Sequence, residues 1–162
     1  MSKSNEAQVI QAPNTLQQKV GGGRFSLDAD AIARAEAALK SLSGQFAQWM
    51  QDELNKLEAA RSDVRAKGMT AETSEILYMR AHDLKGLGAT YEFPLVTRIA
   101  ASLCKLIDDP ATRANAPLLL VDAHIDAIKA AVRDDIKTDE HPVGRILATE
   151  LESKTKAHLA GA

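Results

Sequence analysis

Apolar residues recur every three or four positions along most of this chain, which is the spacing of one helix face. Four series carry the pattern: Phe46, Met50, Leu54, Leu57 and Val64; Leu77, Ala81, Leu84, Gly88 and Tyr91; Val96, Ile99, Ala100, Leu103, Leu106 and Ile107; Leu118, Val121, Ile125, Ile128, Val132 and Ile136. No segment alternates like a strand, and aromatic residues are only 4% of the chain. Strands favour β-branched and aromatic residues, so the sequence predicts an all-α fold.

The breaks between these series predict where helices begin and end. Gly68 indicates the end of one helix, Thr70 can cap the next, and Pro94 suits the first turn of the one after. Residues 108–117 and 139–142 are expected to be loops. Because the connections are short, neighbouring helices are expected to run antiparallel, as in an up-down four-helix bundle.

The bundle helices are expected within residues 44–137. A short extra N-terminal helix over residues 28–40 is expected before them, with a break or a kink around Gly44. Residues 1–25 are polar and contain a triple glycine, which favours a flexible tail. The predicted domain organisation is a flexible tail at 1–25, a four-helix bundle domain at 26–137 and a C-terminal helical extension at 138–162.

Charge and cysteine content exclude several functional classes. The net charge is -2 and both signs are interspersed, so no nucleic-acid partner is expected. Cys104 is the single cysteine, which excludes an internal disulfide and a cysteine-based metal site. No run approaches the roughly 18 apolar residues of a membrane span, and no apolar signal region is present. We therefore expect a cytoplasmic monomer without membrane contact.

The stretch AHDLKGLGATYEF, residues 81–93, places a histidine, a lysine and two glycines on one predicted helix. A helix turns about 100° per residue, so directions around its axis can be counted from Leu77, the first residue of the core stripe. His82 then lies at about 140°, Lys85 at about 80° and Gly86 at about 180°. All three are therefore predicted on the outer face.

The two glycines have different predicted roles. Each costs about 1 kcal/mol relative to alanine in a helix interior, so each needs an explanation. Gly88 faces the core, where a missing side chain lets a neighbouring helix approach. Gly86 faces outward, one turn from His82, where packing does not explain it. We interpret Gly86 as leaving space for a large partner to reach the imidazole.

Nucleophilic chemistry suits this face. A neutral imidazole nitrogen can attack phosphorus to form a phosphohistidine, and an exposed imidazole is mostly neutral near pH 7. Lys85 would offset the negative charge of the product. The other histidines are a comparison within the chain: His124, His141 and His158 lack the combination of a base at +3 and a glycine at +4.

His82, Lys85 and Gly86 match the H-x-x-K-G core of the histidine phosphotransfer (HPt) domain family, which this sequence resembles. The resemblance extends through the next amphipathic segment, 95–107, and the helix order fits over residues 44–137. It implies a four-helix bundle that carries a phosphoryl group on His82. The group would be exchanged with an aspartate on a response-regulator receiver domain.

The resemblance also implies partners and cofactors. Receiver domains and a hybrid histidine kinase would be the partners, and the receiver would supply Mg²⁺ and most catalytic groups. The chain would have no cofactor or metal of its own, and it would be a phosphotransfer intermediate without an ATP site rather than an enzyme. Apolar residues around the histidine form the family's docking surface, which implies Tyr78, Met79 and Ala89. Many members have a glycine near the position of Glu92, so a different turn before Pro94 is expected.

Two other functions stay open. The dimerisation helix of a histidine kinase carries an acidic residue directly after its histidine, and Asp83 occupies that position here. Such a helix usually has a proline where this chain has Leu87, and no Gly-rich ATP-binding region follows the bundle. A non-catalytic helical scaffold would bind a partner without using His82.

Other polar residues have structural explanations. Asp83 is assigned no catalytic role, because adjacent helix residues do not face each other. His124 is expected at the boundary of the last bundle helix, and Cys104 is expected to be a packing residue rather than a reactive thiol. Asp108 and Asp109 are expected to be solvated loop residues rather than metal ligands.

Overall fold

The computed structural model describes residues 29–161, and this part of the chain is all-α without any β-strand. It contains five α-helices and a short 3₁₀ helix: α1 Ala29–Lys67, α2 Ala71–Leu87, α3 Pro94–Leu106, the 3₁₀ helix Arg113–Asn115, α4 Leu118–Arg133 and α5 Pro142–Ala160. The predicted all-α class is confirmed. The predicted tail at 1–25 lies outside the described residues.

Helix α1 runs without interruption through Gly44, so the predicted break there is wrong, and the predicted short helix is the beginning of α1. The division of the chain into two units falls between Ala38 and Leu39, which both belong to α1. Gly44 is exposed, and a Cβ there would meet no atom within 4 Å. One glycine costs about 1 kcal/mol, whereas a second helix would need its own unfavourable nucleation, so the helix continues.

The core of the second unit is organised around α3, which contacts α2, α4 and α5. Most of α3 is buried: Leu95, Val96, Ile99, Ala100, Ser102, Leu103, Cys104 and Leu106. Helix α1 contributes one face, with Met50, Leu54, Leu57, Ala60 and Val64. Helix α5 contributes Ala148 and Leu151. The predicted C-terminal extension is thus a helix that packs on α3 and α4.

The start of α2 follows the capping prediction. The Thr70 hydroxyl accepts a hydrogen bond from the backbone N–H of Thr73 at 3.1 Å, and the Thr73 hydroxyl accepts one from the backbone N–H of Thr70 at 3.0 Å. Pro94 lies in the first turn of α3, as predicted. Reciprocal capping satisfies two backbone donors that the helix itself leaves unpaired, so α2 begins at a defined residue.

Helices α2 and α3 approach closely at Gly88, as its predicted inward position requires. A Cβ on Gly88 would lie 2.6 Å from the Thr97 Oγ1 atom and 2.7 Å from the Thr97 backbone nitrogen. The Thr97 hydroxyl also accepts a hydrogen bond from the backbone N–H of Ala89 at 2.8 Å. No side chain fits at residue 88 without displacing the α3 backbone.

Glu92 closes the turns that follow α2 in the left-handed conformation, with φ 68°. The Phe93 N–H donates to the Gly88 carbonyl at 2.8 Å, and the Glu92 N–H donates to the Ala89 carbonyl at 3.1 Å. These two bonds form a Schellman motif, whose left-handed position glycine adopts without steric penalty. The backbone at Glu92 is therefore one that glycine adopts more easily than glutamate.

Replacing Glu92 by glycine is expected to raise the free energy of unfolding by about 1 kcal/mol, since the left-handed conformation costs an L-residue roughly that much. The ion pair that is lost, Glu92 to Lys137 at 3.4 Å, is exposed and contributes little. Asp135, with φ 54°, offers a matched variant, Asp135→Gly. Urea unfolding measures the free energy of unfolding of both variants. A loss of stability in both would contradict the proposal that the left-handed backbone at these two residues is strained.

His124 was predicted to be a boundary residue of the last bundle helix. It lies within α4 and is fully buried, so that prediction is wrong. Its Nδ1 lies 2.7 Å from the Leu120 carbonyl oxygen and its Nε2 lies 2.9 Å from the Ser102 Oγ atom. Since a carbonyl only accepts, Nδ1 carries the proton and Nε2 accepts from Ser102. The Thr155 hydroxyl of α5 lies 3.2 Å from Ser102, so this cluster joins three helices. Desolvation lowers the pKa of His124, which keeps it neutral.

Candidate functional site

Helix α2 presents His82, Lys85 and Gly86 on its exposed face, as the helical-wheel geometry predicts. The opposite face is fully buried, with Leu77 and Leu84 at 0% exposure. The apolar face determines the rotation of α2 about its axis, because turning it would expose that face to water. The core therefore holds the three site residues outward.

Gly86 lies in open space. A Cβ built at this position would meet no atom within 4 Å, in contrast to the clashes at Gly88. The prediction that packing does not require a glycine at position 86 is confirmed. What the glycine does is keep the helix surface free of side-chain atoms one turn away from His82.

The His82 imidazole has no hydrogen bond or ion pair to any of residues 29–161. Its ring centroid lies 6.0 Å from that of Tyr78, with the two ring planes tilted by 37°. A shallow depression of about 210 Å³ opens beside it, lined by Glu75, Tyr78, Met79, His82 and Asp83. Both ring nitrogens of His82 are thus available to an external group.

Lys85 is exposed and forms no ion pair with the described part of the chain. Its charge acts on the Cys104 thiol on α3. Burial raises the pKa of Cys104 to about 11, and the positive charge of Lys85 opposes that increase. Cys104 is buried and protonated at neutral pH, so its interpretation as a packing residue is confirmed. With no carboxylate partner among the described residues, the Lys85 ammonium can attract an incoming anion.

The carboxylates near His82 bind other groups. The Asp83 carboxylate lies 3.3 Å from the Arg80 guanidinium. Asp108 accepts a hydrogen bond from the Tyr78 hydroxyl at 3.0 Å. Neither carboxylate is hydrogen-bonded to the imidazole, so the histidine is not set up as a base activated by a carboxylate. Within residues 29–161, no group of three or more His, Cys, Asp or Glu side chains could hold a metal ion.

The three predicted docking residues have different surroundings. Met79 is 45% exposed and lines the depression beside His82. Tyr78 also lines the depression, but it is half-buried and packs against the core. Ala89 is exposed in the turns after α2 rather than in the helix itself. The depression therefore brings together Tyr78 and Met79 but not Ala89.

Sequence reasoning missed the residues that hold Tyr78. The Arg113 guanidinium lies 5.0 Å from the centroid of the Tyr78 ring. Arg113 is only 4% exposed and bonds to the Glu75 carboxylate and to the Asp108 backbone carbonyl. The Tyr78 hydroxyl donates a hydrogen bond to the Asp108 carboxylate, and this bond raises the pKa of Tyr78. No local pattern links residue 78 with residues 108 and 113, so the sequence offered no signal for these contacts.

No family model matches the chain, and comparisons with curated proteins and with solved structures find no match. Among residues 29–161, every helix is too short or too polar to cross a bilayer.

Proposed function

We propose that this protein is a histidine phosphotransfer protein, in which His82 carries a phosphoryl group to and from the aspartate of a response-regulator receiver domain. One observation carries the proposal: an exposed imidazole shares a helix face with the bare Gly86 and with Lys85, and neither His82 nor Lys85 is hydrogen-bonded or ion-paired to residues 29–161. In this proposal, α1 to α4 form the up-down four-helix bundle of the HPt family. Helix α5 is then an addition packed on α3 and α4.

The proposed reaction needs one nucleophile from this chain. The lone pair of a neutral His82 nitrogen attacks the phosphorus of the aspartyl phosphate, and a P–N bond forms. The P–O bond to the aspartyl carboxyl group breaks, and its electron pair leaves on the carboxylate. The proton on the other ring nitrogen stays there or passes to water. The reverse steps return the phosphoryl group to an aspartate, and the receiver domain would hold the Mg²⁺.

Lys85 stabilises the phosphorylated state in this proposal. The phosphoryl oxygens carry negative charge one turn of helix away from its ammonium. A lysine has a flexible stem and a compact charge, so it can follow the phosphoryl group as the partner leaves. Because no carboxylate of residues 29–161 is paired with Lys85, its charge is not already neutralised.

The test is incubation of the full chain with receiver domains that carry a radiolabelled aspartyl phosphate. We expect the label to move onto this chain in a linkage that is labile in acid and stable in alkali, as a P–N bond is. Labelling by ATP alone would support a histidine kinase fragment instead. Receiver binding that is indifferent to the receiver's phosphorylation, without transfer, would support a non-catalytic scaffold.

The access role of Gly86 predicts a selective loss of transfer. Gly86→Gln is expected to slow phosphoryl transfer about 100-fold, because a side chain one turn from His82 would displace the incoming aspartyl phosphate from reacting distance. The fold should be retained, since a Cβ at residue 86 meets no atom within 4 Å. Transfer rates and circular dichroism measure the two effects. An unchanged rate would remove access as the explanation for this glycine.

A further inference from the structure

The Tyr78 ring is held from three directions. The ring lies 6.0 Å from the His82 ring on the same helix face, within the usual range for paired aromatic rings. Its hydroxyl donates to the Asp108 carboxylate at 3.0 Å, across 30 residues of sequence. The Arg113 guanidinium lies 5.0 Å from its centroid, at a distance where a cation is attracted to an aromatic ring.

Arg113 is the most deeply buried member of this group. It is 4% exposed, and it bonds to Glu75 on α2 and, at 3.0 Å, to the backbone carbonyl of Asp108. The backbone N–H of Arg113 donates to the Asp109 carbonyl at 2.8 Å, which holds the residue in the α3–α4 connection. Its buried Nε atom has no hydrogen-bond partner in the described part of the chain. The bonds to Glu75 and to the Asp108 carbonyl hold the guanidinium where it faces the Tyr78 ring, although a buried donor left unpaired costs free energy.

We propose that Arg113 is a positioning residue for His82, acting through the ring of Tyr78. This inference rests on the proposed phosphotransfer function for its catalytic consequence, but the arrangement itself can be tested without that function. The imidazole has no hydrogen bond to residues 29–161, and in this proposal the neighbouring ring of Tyr78 restricts its rotation about the Cα–Cβ and Cβ–Cγ bonds. Arg113 and Asp108 in turn fix the Tyr78 ring from the α3–α4 connection.

A fixed imidazole matters for transfer because the attacking nitrogen must lie in line with the phosphorus and the leaving oxygen. An exposed histidine without neighbours would sample several rotamers, and only some of them would point the nitrogen at an incoming phosphoryl group. Restricting these rotamers before the partner binds reduces the entropy lost in the transition state.

The test compares Arg113→Met with Arg98→Met in the full chain labelled with ¹³C at the histidine rings. Arg98 is a matched control, because it also joins two elements through carboxylates, at 2.7 and 2.8 Å to Glu152 and at 2.8 Å to Asp139. We expect the ring signals of His82 to shift and broaden in Arg113→Met and to stay at their wild-type positions in Arg98→Met. Identical His82 signals in wild type and Arg113→Met would overturn the proposal.

Arg113→Lys provides a second variant should Arg113→Met fail to fold, since it keeps the positive charge beside Glu75. It lacks the planar group above Tyr78, so an intermediate shift of the His82 signals is expected. A wild-type spectrum for this variant would also overturn the proposal.

The catalytic consequence has its own measurement. With a phosphorylated receiver, Arg113→Met is expected to lower the maximal transfer rate about tenfold. The half-saturating receiver concentration should change by less than the rate does, although Tyr78 also lines the depression beside His82. A changed half-saturation with an unchanged maximal rate would overturn positioning in favour of docking. Failure of the wild-type protein to transfer phosphate would refute the proposed function, and the His82 signals would still decide whether Arg113 positions the imidazole.

Discussion

A His82→Gln protein is expected to accept no phosphoryl group from a phosphorylated receiver domain. Glutamine resembles histidine in size and polarity, but its amide nitrogen has no lone pair free for attack on phosphorus. The rate should fall to the background of the assay rather than by a partial factor. The measurement is transfer of radiolabel from the receiver to this chain, followed over time. Transfer that survives the substitution would refute the assignment of His82.

His141→Gln is the matched control for this loss. His141 is exposed like His82, and its side chain makes no capping hydrogen bond at the start of α5. Both substitutions replace a surface side chain, so each should change the free energy of unfolding by less than about 0.5 kcal/mol. Equal loss of transfer in the two variants would show that the assay reports something other than the face of α2.

Replacing Gly88 by alanine is expected to lower the free energy of unfolding by about 3 kcal/mol, the upper part of the usual range for overpacking a core. The added Cβ would lie 2.6 Å from the Thr97 hydroxyl and 2.7 Å from the Thr97 backbone nitrogen. The backbone atom belongs to α3 and cannot rotate away, so the two helices must separate. That separation weakens the hydrogen bond from the Ala89 N–H to Thr97.

Gly86→Ala is the control two residues away. Its Cβ meets no atom within 4 Å, so only helix propensity changes, and the protein should become more stable by about 0.5–1 kcal/mol. Urea unfolding of the two variants, followed by circular dichroism, measures both changes. Comparable destabilisation by the two alanines would contradict the division of the glycines into a packing residue and an access residue.

The outward direction of His82 and Lys85 and the inward direction of Gly88 could be predicted without a structure, because a helix that buries one stripe has a known rotation. The start of α2 at Thr70 could also be predicted from the sequence, since capping depends on residues three positions apart. The continuation of α1 through Gly44 could not be predicted from the sequence. A single glycine is a weak local signal, and the choice between a break and a continuous helix depends on the residues on either side.

The burial of His124 and the anchoring of Tyr78 were beyond sequence reasoning for a different reason. His124 lies inside because α5 covers it and because Ser102 and Thr155 supply hydrogen-bonding partners from two other helices. Tyr78 was predicted to be a docking residue on the outer side, and its bond to Asp108 spans 30 residues. Contacts between residues this far apart in sequence produce no periodic pattern of residue types along the chain.

The sequence by itself determined the all-α class, the two faces of α2 and the placement of His82, Lys85 and Gly86 on the exposed one. All of these depend on helical periodicity, which relates residues three or four apart. Only the tertiary structure decided that α5 completes the core, that His124 is buried and that Arg113 reaches Tyr78 beside His82. Those outcomes depend on which helices come together, and the free energy of such contacts belongs to pairs of residues that no local pattern connects.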